Sequence, residues 1–385
     1  MFCIRSQTDD RLVFLFAAMN ILVPNLGSTS LKYQLLEMPS GRVLARGRLE
    51  RVTDYASAIR QMAINDAAID AVAFKTVHGG PKYRGTFVID DEVIAALEEY
   101  LPAAPAHNAI YLMGISAFRA AMPRVPLVAA FETEFHATMP EYAGRYGIPK
   151  DWCERFGVQR YGFHGASHQY VSERVPEILG VQREGLRLVS CHLGGSSSIC
   201  AVRDGKSIDT TMGFSPQSGL ESATRHGELD VFALLFLMKK NGWTVATAAE
   251  QLTRTAGLAG LSGILGGDVR DLEKAILEGN ADAALALSVF IYEVRKTIGA
   301  YAAAMEGVDA IAFTGGIGEN SAGLRRHCCT GLEFLGVKLD PVRNEAGDGD
   351  RVVSADGCKV AVVTLATNEE LIVARRAYDT LTRSS

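Results

Sequence analysis

The stretch CHLGGSSSIC, Cys191–Cys200, lies between the apolar pair Leu188-Val189 and the strand-like Ala201-Val202. It has a counterpart near the start of the chain: PNLGSTSLKY, Pro24–Tyr33, follows Ile21-Leu22-Val23 and runs into an alternating Tyr33, Leu35. With Asn25 placed over His192, an offset of 167 positions (192 − 25), Leu26 meets Leu193, Gly27 meets Gly194 and Ser30 meets Ser197. Each copy reads apolar strand, polar residue, Leu-Gly, small or hydroxyl residues, second strand. Glycine permits positive φ and lets a backbone approach a ligand. Turn N–H groups with serine and threonine hydroxyls make a concave set of donors suited to phosphate oxygens. One such turn also simply closes a hairpin. Two of them, opening two similar halves, point to a nucleotide held between twin domains.

A third glycine-rich stretch supports this. AIAFTGGIGENS, Ala310–Ser321, reads as a buried strand followed by Gly315, Gly316 and Gly318. It approaches the dinucleotide fingerprint, yet Ser321 stands where the last glycine belongs, and no G-x4-G-K-[ST] occurs anywhere. Phosphate binding here uses neither a P-loop nor a Rossmann turn.

The bulk properties narrow the class. A chain of 385 residues is too long for one ordinary core, so two domains are expected. With 39 basic against 44 acidic residues the net charge is −5, and no basic stripe suggests nucleic acid or a membrane surface as partner. The seven cysteines (3, 153, 191, 200, 328, 329, 358) make no zinc spacing and leave an odd one out, which fits a reducing, cytoplasmic setting. Leu12–Val23 is apolar behind Arg5 and Arg11, but Asp9 and Asp10 precede it and Asn20 interrupts it, unlike a signal peptide. The domain is expected to begin near Met19, with residues 1–18 an extension. Apolar strand-like runs at Leu188–Val189, Ala310–Phe313 and Val360–Val363 alternate with helical ones, the mark of an α/β protein. Ala281–Met305 reads as one long helix, and Thr367 with Glu370 as a capping box opening the last helix.

Taken in order, NLGSTSLK, VHGG (Val77–Gly80), RYGFHGASH (Arg160–His168), CHLGG, DTTMGFSP (Asp209–Pro216), GLESATRHGELD (Gly219–Asp230), GGDVRDLE (Gly266–Glu273), FTGGIGENS and ATNEEL (Ala366–Leu371) resemble the motifs of the acetate kinase family. The resemblance runs from about Met19 to Arg383. It implies a duplicated α/β fold of the sugar kinase/Hsp70/actin type, two domains around a nucleotide cleft. The expected domains are 19–136 plus 370–385, and 137–369. It further implies Mg²⁺-dependent, reversible transfer of the ATP γ-phosphate to a short-chain carboxylate, giving ADP and an acyl phosphate, and a homodimer.

Carried over by position, the resemblance makes Arg225 and His164 the groups that steady the transferring phosphoryl, with Glu132 at the active-site carboxylate position. Lys75 would hold the substrate carboxylate, and Val77, Ala106, Phe163 and Pro216 would wall its alkyl end. Lys32, His192, Leu193, Gly194, Gly195 and Ser196 would meet the nucleotide phosphates. Asp268, Val269 and Arg270 would line the adenine and ribose end, flanked by Gly316, Ile317, Gly318, Glu319 and Asn320. Asn25 and Glu369 match the family's Mg²⁺-associated positions, and few oxygen ligands suit that ion. Glu369 also reads as a first-turn carboxylate favoured by a helix dipole, and Lys32 as an exposed strand lysine. His164 and His168 are spaced as ligands on a helix, but no third ligand accompanies them.

Departures cluster at the carboxylate end. Lys75 stands where the family has arginine, Glu132 where it has aspartate, Gly195-Ser196 where it has Asn-Gly, and Ala106 where it has leucine. The carboxylate is therefore expected to be acetate, propionate or, alternatively, a larger acid such as butyrate. A nucleotide-binding regulator with little turnover is the reading from another class.

Overall fold

In Leu127–Phe131 and Ala310–Thr314 every residue is buried, the pattern of a strand covered on both faces. In the computed structural model of the protein these two runs lie inside two separate sheets. Residues 18–27, 29–62, 64 and 69–383 are described, with backbone alone at Phe2–Cys3, Phe14–Leu15 and Ala106.

Strands β1 (Phe2–Cys3) and β2 (Phe14–Leu15) pair as a short antiparallel ribbon. The first large sheet contains β3 (Met19–Gly27), β4 (Ser30–Met38), β5 (Arg42–Glu50), β6 (Ala71–Thr76), β7 (Thr86–Val88) and β8 (Leu127–Phe131), side by side as β5-β4-β3-β6-β8-β7. The second contains β9 (Arg187–His192), β10 (Ser198–Arg203), β11 (Lys206–Thr210), β12 (Ala310–Thr314), β13 (Arg351–Val352) and β14 (Ala361–Thr364), as β11-β10-β9-β12-β14-β13. Counted along the chain, each sheet runs third, second, first, fourth, sixth, fifth. The parallel pairings match as well: β3 to β6 to β8, and β9 to β12 to β14.

Register carries the duplication down to single residues. Ile21 pairs with Ala71, the first residue of β6, and Leu188 pairs with Ala310, the first residue of β12. The offset between Ile21 and Leu188 is again 167 positions (188 − 21). What differs is the turn. β3 and β4 close with Gly27 opposite Ser30, whereas β9 and β10 close with His192 opposite Ser198, leaving a five-residue loop at 193–197.

The chain divides into two units, Met1–Glu134 with Glu369–Ser385, and Phe135–Asn368. In the first, the helix Glu369–Arg383 packs on β3, β4, β6, β7 and β8 through a buried stripe of Ile372, Val373, Arg376 and Ala377, spaced for one helix face. Arg376 donates from Nη1 to the Phe131 carbonyl (3.3 Å). This helix begins at Glu369, so Asn368 rather than Thr367 occupies the cap position; a cap at Thr367 would start the helix one residue earlier. In the second unit the long helix is Ala281–Ala304. Asn280 caps it, accepting from the Ala283 amide (2.9 Å), and Ala283, Ala286, Phe290, Val294 and Ile298 bury one face against β9, β10 and β12. No described helix is long and apolar enough to cross a membrane.

Candidate active site

The second unit carries a cavity of about 900 Å³, within the size range of small-ligand sites. Gly194, Gly195, Ala223, Gly266, Gly267, Asp268, Val269, Arg270, Gly316, Ile317 and Asn320 line it. Three glycine-rich segments far apart in sequence thus meet at one hollow. Gly195 and Gly316 have open space where a Cβ would point, so their lack of a side chain keeps the hollow clear. Neither Gly27, Gly194 nor Gly195 takes a positive φ; the left-handed glycine is Gly315, φ +76°. A Cβ there would come 2.6 Å from the Leu193 carbonyl oxygen. That carbonyl accepts from the Ile317 and Gly318 amides (2.9 and 3.1 Å), which locks the 193–197 loop onto the helix Gly315–Asn320.

This locking turns three of the expected residues away from the hollow. Leu193 is wholly buried, its amide spent on the Thr314 carbonyl and its carbonyl on the next glycine turn, so it is scaffold. Gly318 is buried against Phe313, and Glu319 faces Thr314 Oγ1 (3.5 Å), so neither lines the hollow. Asp268 is on the rim, where it caps the helix Val269–Leu277 and accepts from the Arg270 amide (2.9 Å) and guanidinium (2.6 Å).

Arg225 is fixed to the same turn. Its Nη1 donates to Ser196 Oγ (2.7 Å) and to the Pro216 carbonyl (3.3 Å). The loop carrying it is stitched down by Ala223 N to the Gly195 carbonyl (3.0 Å) and Ser197 N to Ser222 Oγ (3.1 Å). Burial lowers the Arg225 pKa, but a guanidinium stays charged in a protein. A desolvated cation therefore sits beside a glycine-serine turn. His164, at φ +56°, caps the helix Gly165–Leu179. Its Nδ1 lies 2.8 Å from Ser198 Oγ, and its ring stacks on His192 at 4.3 Å. His192 Nδ1 lies 2.7 Å from Ser167 Oγ. Phe163 is buried, its carbonyl 2.9 Å from His136 Nε2.

The first unit gathers the charged groups. Val23, Pro24, Asn25, Lys75, Glu369 and Glu370 line one small depression. The Lys75 ammonium pairs with the Glu369 carboxylate. Burial alone would lower the Lys75 pKa; Glu369 and then Glu132 more than reverse it, and the ammonium titrates well above the ordinary lysine range. Glu132, itself buried, follows β8, and its amide donates to the Thr76 carbonyl (2.8 Å). Lys32 lies exposed on β4 directly opposite Asn25. Val77 is buried next to β6, and the Ala106 side chain lies outside the described residues.

The model of the acetokinase family matches residues 50–375. This chain belongs to the acetokinase family. Acetate kinase of Caldanaerobacter subterraneus subsp. tengcongensis is 45% identical over 392 residues, spanning 93% of this chain and 98% of that protein. The Geobacillus kaustophilus acetate kinase is 43% identical over 386 residues, spanning 92% and 97%. Of solved structures, Porphyromonas gingivalis acetate kinase superposes with a TM-score of 0.85 at 39% identity, over 94% of this chain and all of that one. A propionate kinase from Francisella tularensis subsp. tularensis gives 0.85 at 31%, over 93% and 98%.

As an acetokinase, the chain is a phosphotransferase with a carboxyl group as acceptor. Several groups around its candidate site escaped sequence reading. Tyr111, wholly buried, has its phenol pushed up by burial, with Glu132 and Glu369 adding to the rise against Lys75; an apolar-face tyrosine gives no signal of that. Asn108 donates to the His78 and Leu97 carbonyls (both 2.9 Å), pinning the VHGG turn from the helix Pro105–Ala121. Arg325, fully buried, donates to the Gly318 and Glu319 carbonyls (2.9 and 2.7 Å) and braces the far end of the glycine helix. Glu273 accepts from Ser321 (3.0 Å) at the edge of the hollow.

Proposed function

We propose that this acetokinase transfers the γ-phosphoryl group of ATP to acetate or propionate, giving ADP and the acyl phosphate, and runs the reverse reaction. The observation that carries this reading is Arg225 held by Ser196, in the turn whose Gly194 and Gly195 line the nucleotide-sized hollow. The acceptor class is supported by family membership and by relatives named acetate kinase and propionate kinase.

A carboxylate is already ionised at neutral pH, so no general base is needed. The work is to bring two anions into line and to neutralise charge on the equatorial oxygens. Arg225 supplies that charge, and His164 a hydrogen-bond donor. Lys75 attracts the acceptor carboxylate, while Glu369 and Glu132 keep it protonated and in place. Val77, Ala106, Phe163 and Pro216 are assigned to the alkyl group.

Mg²⁺ fits the donor set. Asn25, Glu369 and Glu370 share one depression, and among the described residues no three His, Cys, Asp or Glu side chains converge as a closed cage. Mg²⁺ keeps waters and relies on one or two carboxylates plus substrate phosphates. Asn25 and Glu369 would hold it, and the bound ion would screen repulsion between the reacting anions. Cytoplasmic residence is supported by the six described cysteines, all free thiols.

A homodimer is supported by the helix Val231–Asn241, which buries none of its residues in its own unit. Val231, Phe232, Leu235 and Phe236 are all more than half exposed, an apolar patch of the sort that marks an interface. Glu228 and Asp230 precede it and Lys239-Lys240 end it, so antiparallel pairing about a two-fold axis sets opposite charges together.

An acyl-hydroxamate assay over acetate, propionate and butyrate tests the function. Product is expected from ATP with acetate or propionate, and ATP binding without product would leave only a nucleotide-binding regulator. Ala106 in place of leucine removes three carbons from the assigned wall, and each extra buried CH₂ adds about 0.8 kcal/mol. Propionate is therefore expected to be used at least as well as acetate, and Ala106→Leu to restore acetate preference through kcat/KM. A strong acetate preference in the unaltered enzyme would show the space already filled.

A further inference from the structure

Half-buried His164 joins a chain of three fully buried side chains. Ser198 Oγ, at the start of β10, lies 2.8 Å from His164 Nδ1 and 2.8 Å from His168 Nε2. His168 Nδ1 in turn lies 2.9 Å from Ser190 Oγ on β9. Ser190, His168 and Ser198 are fully buried. Ser190 Oγ and Ser198 Oγ make no other hydrogen bond among the described residues.

The protons along this chain can be counted. A buried hydroxyl that fails to donate is left with an uncompensated loss of hydration, and among the described residues the one acceptor bonded to Ser190 is His168 Nδ1. His168 Nδ1 is then unprotonated. Burial first, then the neighbouring His136 and His192, holds the His168 pKa well below the ordinary histidine value, so the ring is neutral and its one proton is on Nε2. Nε2–H donates to Ser198 Oγ. The Ser198 hydroxyl has a single proton and one remaining neighbour, so it donates to His164 Nδ1. His164 is left with its proton on Nε2. Stacking on His192 at 4.3 Å points the same way, since two facing imidazoles disfavour a charge on either.

We propose that Ser190, His168 and Ser198 form a one-way hydrogen-bond relay that fixes His164 as its neutral Nε2–H tautomer, presenting a donor to the transferring phosphoryl group. His168 and the two serines are positioning residues: they touch neither ATP nor the carboxylate and act only through His164. The proposal rests on the role given to His164 above. It also gives the HGASH spacing a purpose other than metal binding, since His164 and His168 share one hydroxyl.

The test is ¹⁵N NMR of histidine-labelled full-length enzyme at neutral pH, with kinetics on the same samples. In the unaltered protein His164 is expected to show an unprotonated Nδ1 and a protonated Nε2. Ser198→Ala should give a mixture of tautomers and lower kcat on the order of 10–100-fold with little change in KM, the usual size of losing a ring-orienting partner. Ser198→Thr, which keeps the hydroxyl, should restore both. Ser190→Ala, remote from His164, should shift its tautomer in the same sense. A protonated Nδ1 in the unaltered enzyme, or a tautomer indifferent to Ser198→Ala, would overturn the relay. So would a changed tautomer with undiminished kcat, where His164→Ala itself lowers kcat. The role of His164 is judged separately by His164→Ala: full kcat there would defeat that role while leaving the NMR result for the relay standing.

Discussion

At the scale of single residues, the site's charge is arranged by what holds each ion. Arg225 owes its position to Ser196 and to a loop packed on Gly257, where a Cβ would come 2.6 Å from the Arg225 carbonyl. A cation used mainly as charge develops contributes to kcat more than to binding. Arg225→Ala is expected to leave ATP affinity nearly unchanged, by calorimetry, and to cut kcat about 10²–10³-fold, roughly 3–4 kcal/mol. Unchanged kcat with a raised KM would remove the assigned role. Arg225, His164 and the glycine turns could be singled out because their motifs are dense and ordered, and Arg225 does reach Ser196 in the turn whose Gly194 and Gly195 line the hollow. Leu193, Gly318 and Glu319 were misread because a motif does not distinguish residues facing a ligand from those bracing the turn behind them. Tyr111 and Ser198 were invisible, since what matters about each is the distant side chain beside it.

At the scale of elements, the ion pair of Lys75 with Glu369 ties β6 to the helix Glu369–Arg383. The two residues were read separately, one for the carboxylate and one for the metal; no sequence pattern joins positions 294 apart. Removing one partner of a largely buried pair leaves the other charge uncompensated, which costs more than the pair itself stabilises. Lys75→Met is expected to destabilise the protein by roughly 3 kcal/mol, while the double variant Lys75→Met/Glu369→Leu recovers most of that. Denaturant midpoints of the single and double variants check this; equal losses in both would show that the pair is not coupled. Strands were well read where apolar runs are continuous, as in β12, and the long helix was read to within one residue of its end. The last helix was misplaced by one residue because Thr367 and Asn368 both make good caps.

For the whole molecule, an echo of a few residues at an offset of 167 proved to be a repeat of an entire six-stranded sheet, in the same strand order and with the same register between its first and fourth strands. Sequence shows only the hairpin because its turn calls for glycine and hydroxyl residues, while the strands need only be apolar and so drift freely. The homodimer came into the reading only through the family resemblance; the exposed apolar helix Val231–Asn241 is where the proposal places its contact. Phe232→Asp with Leu235→Asp is expected to convert a dimer to a monomer in sedimentation, and an unaltered dimer would place the interface elsewhere. The helix Glu369–Arg383 has a consequence for how the protein is made. Chains grow from the N-terminus at about 5–20 residues per second, so roughly 15–60 s separate the synthesis of Lys75 from that of Glu369. During that interval the first sheet has no cover on the face this helix occupies, and Lys75 has no counter-ion from it. The second unit has all its strands before the first is complete. The nascent chain therefore matures out of order, and its earliest residues depend longest on protection from aggregation.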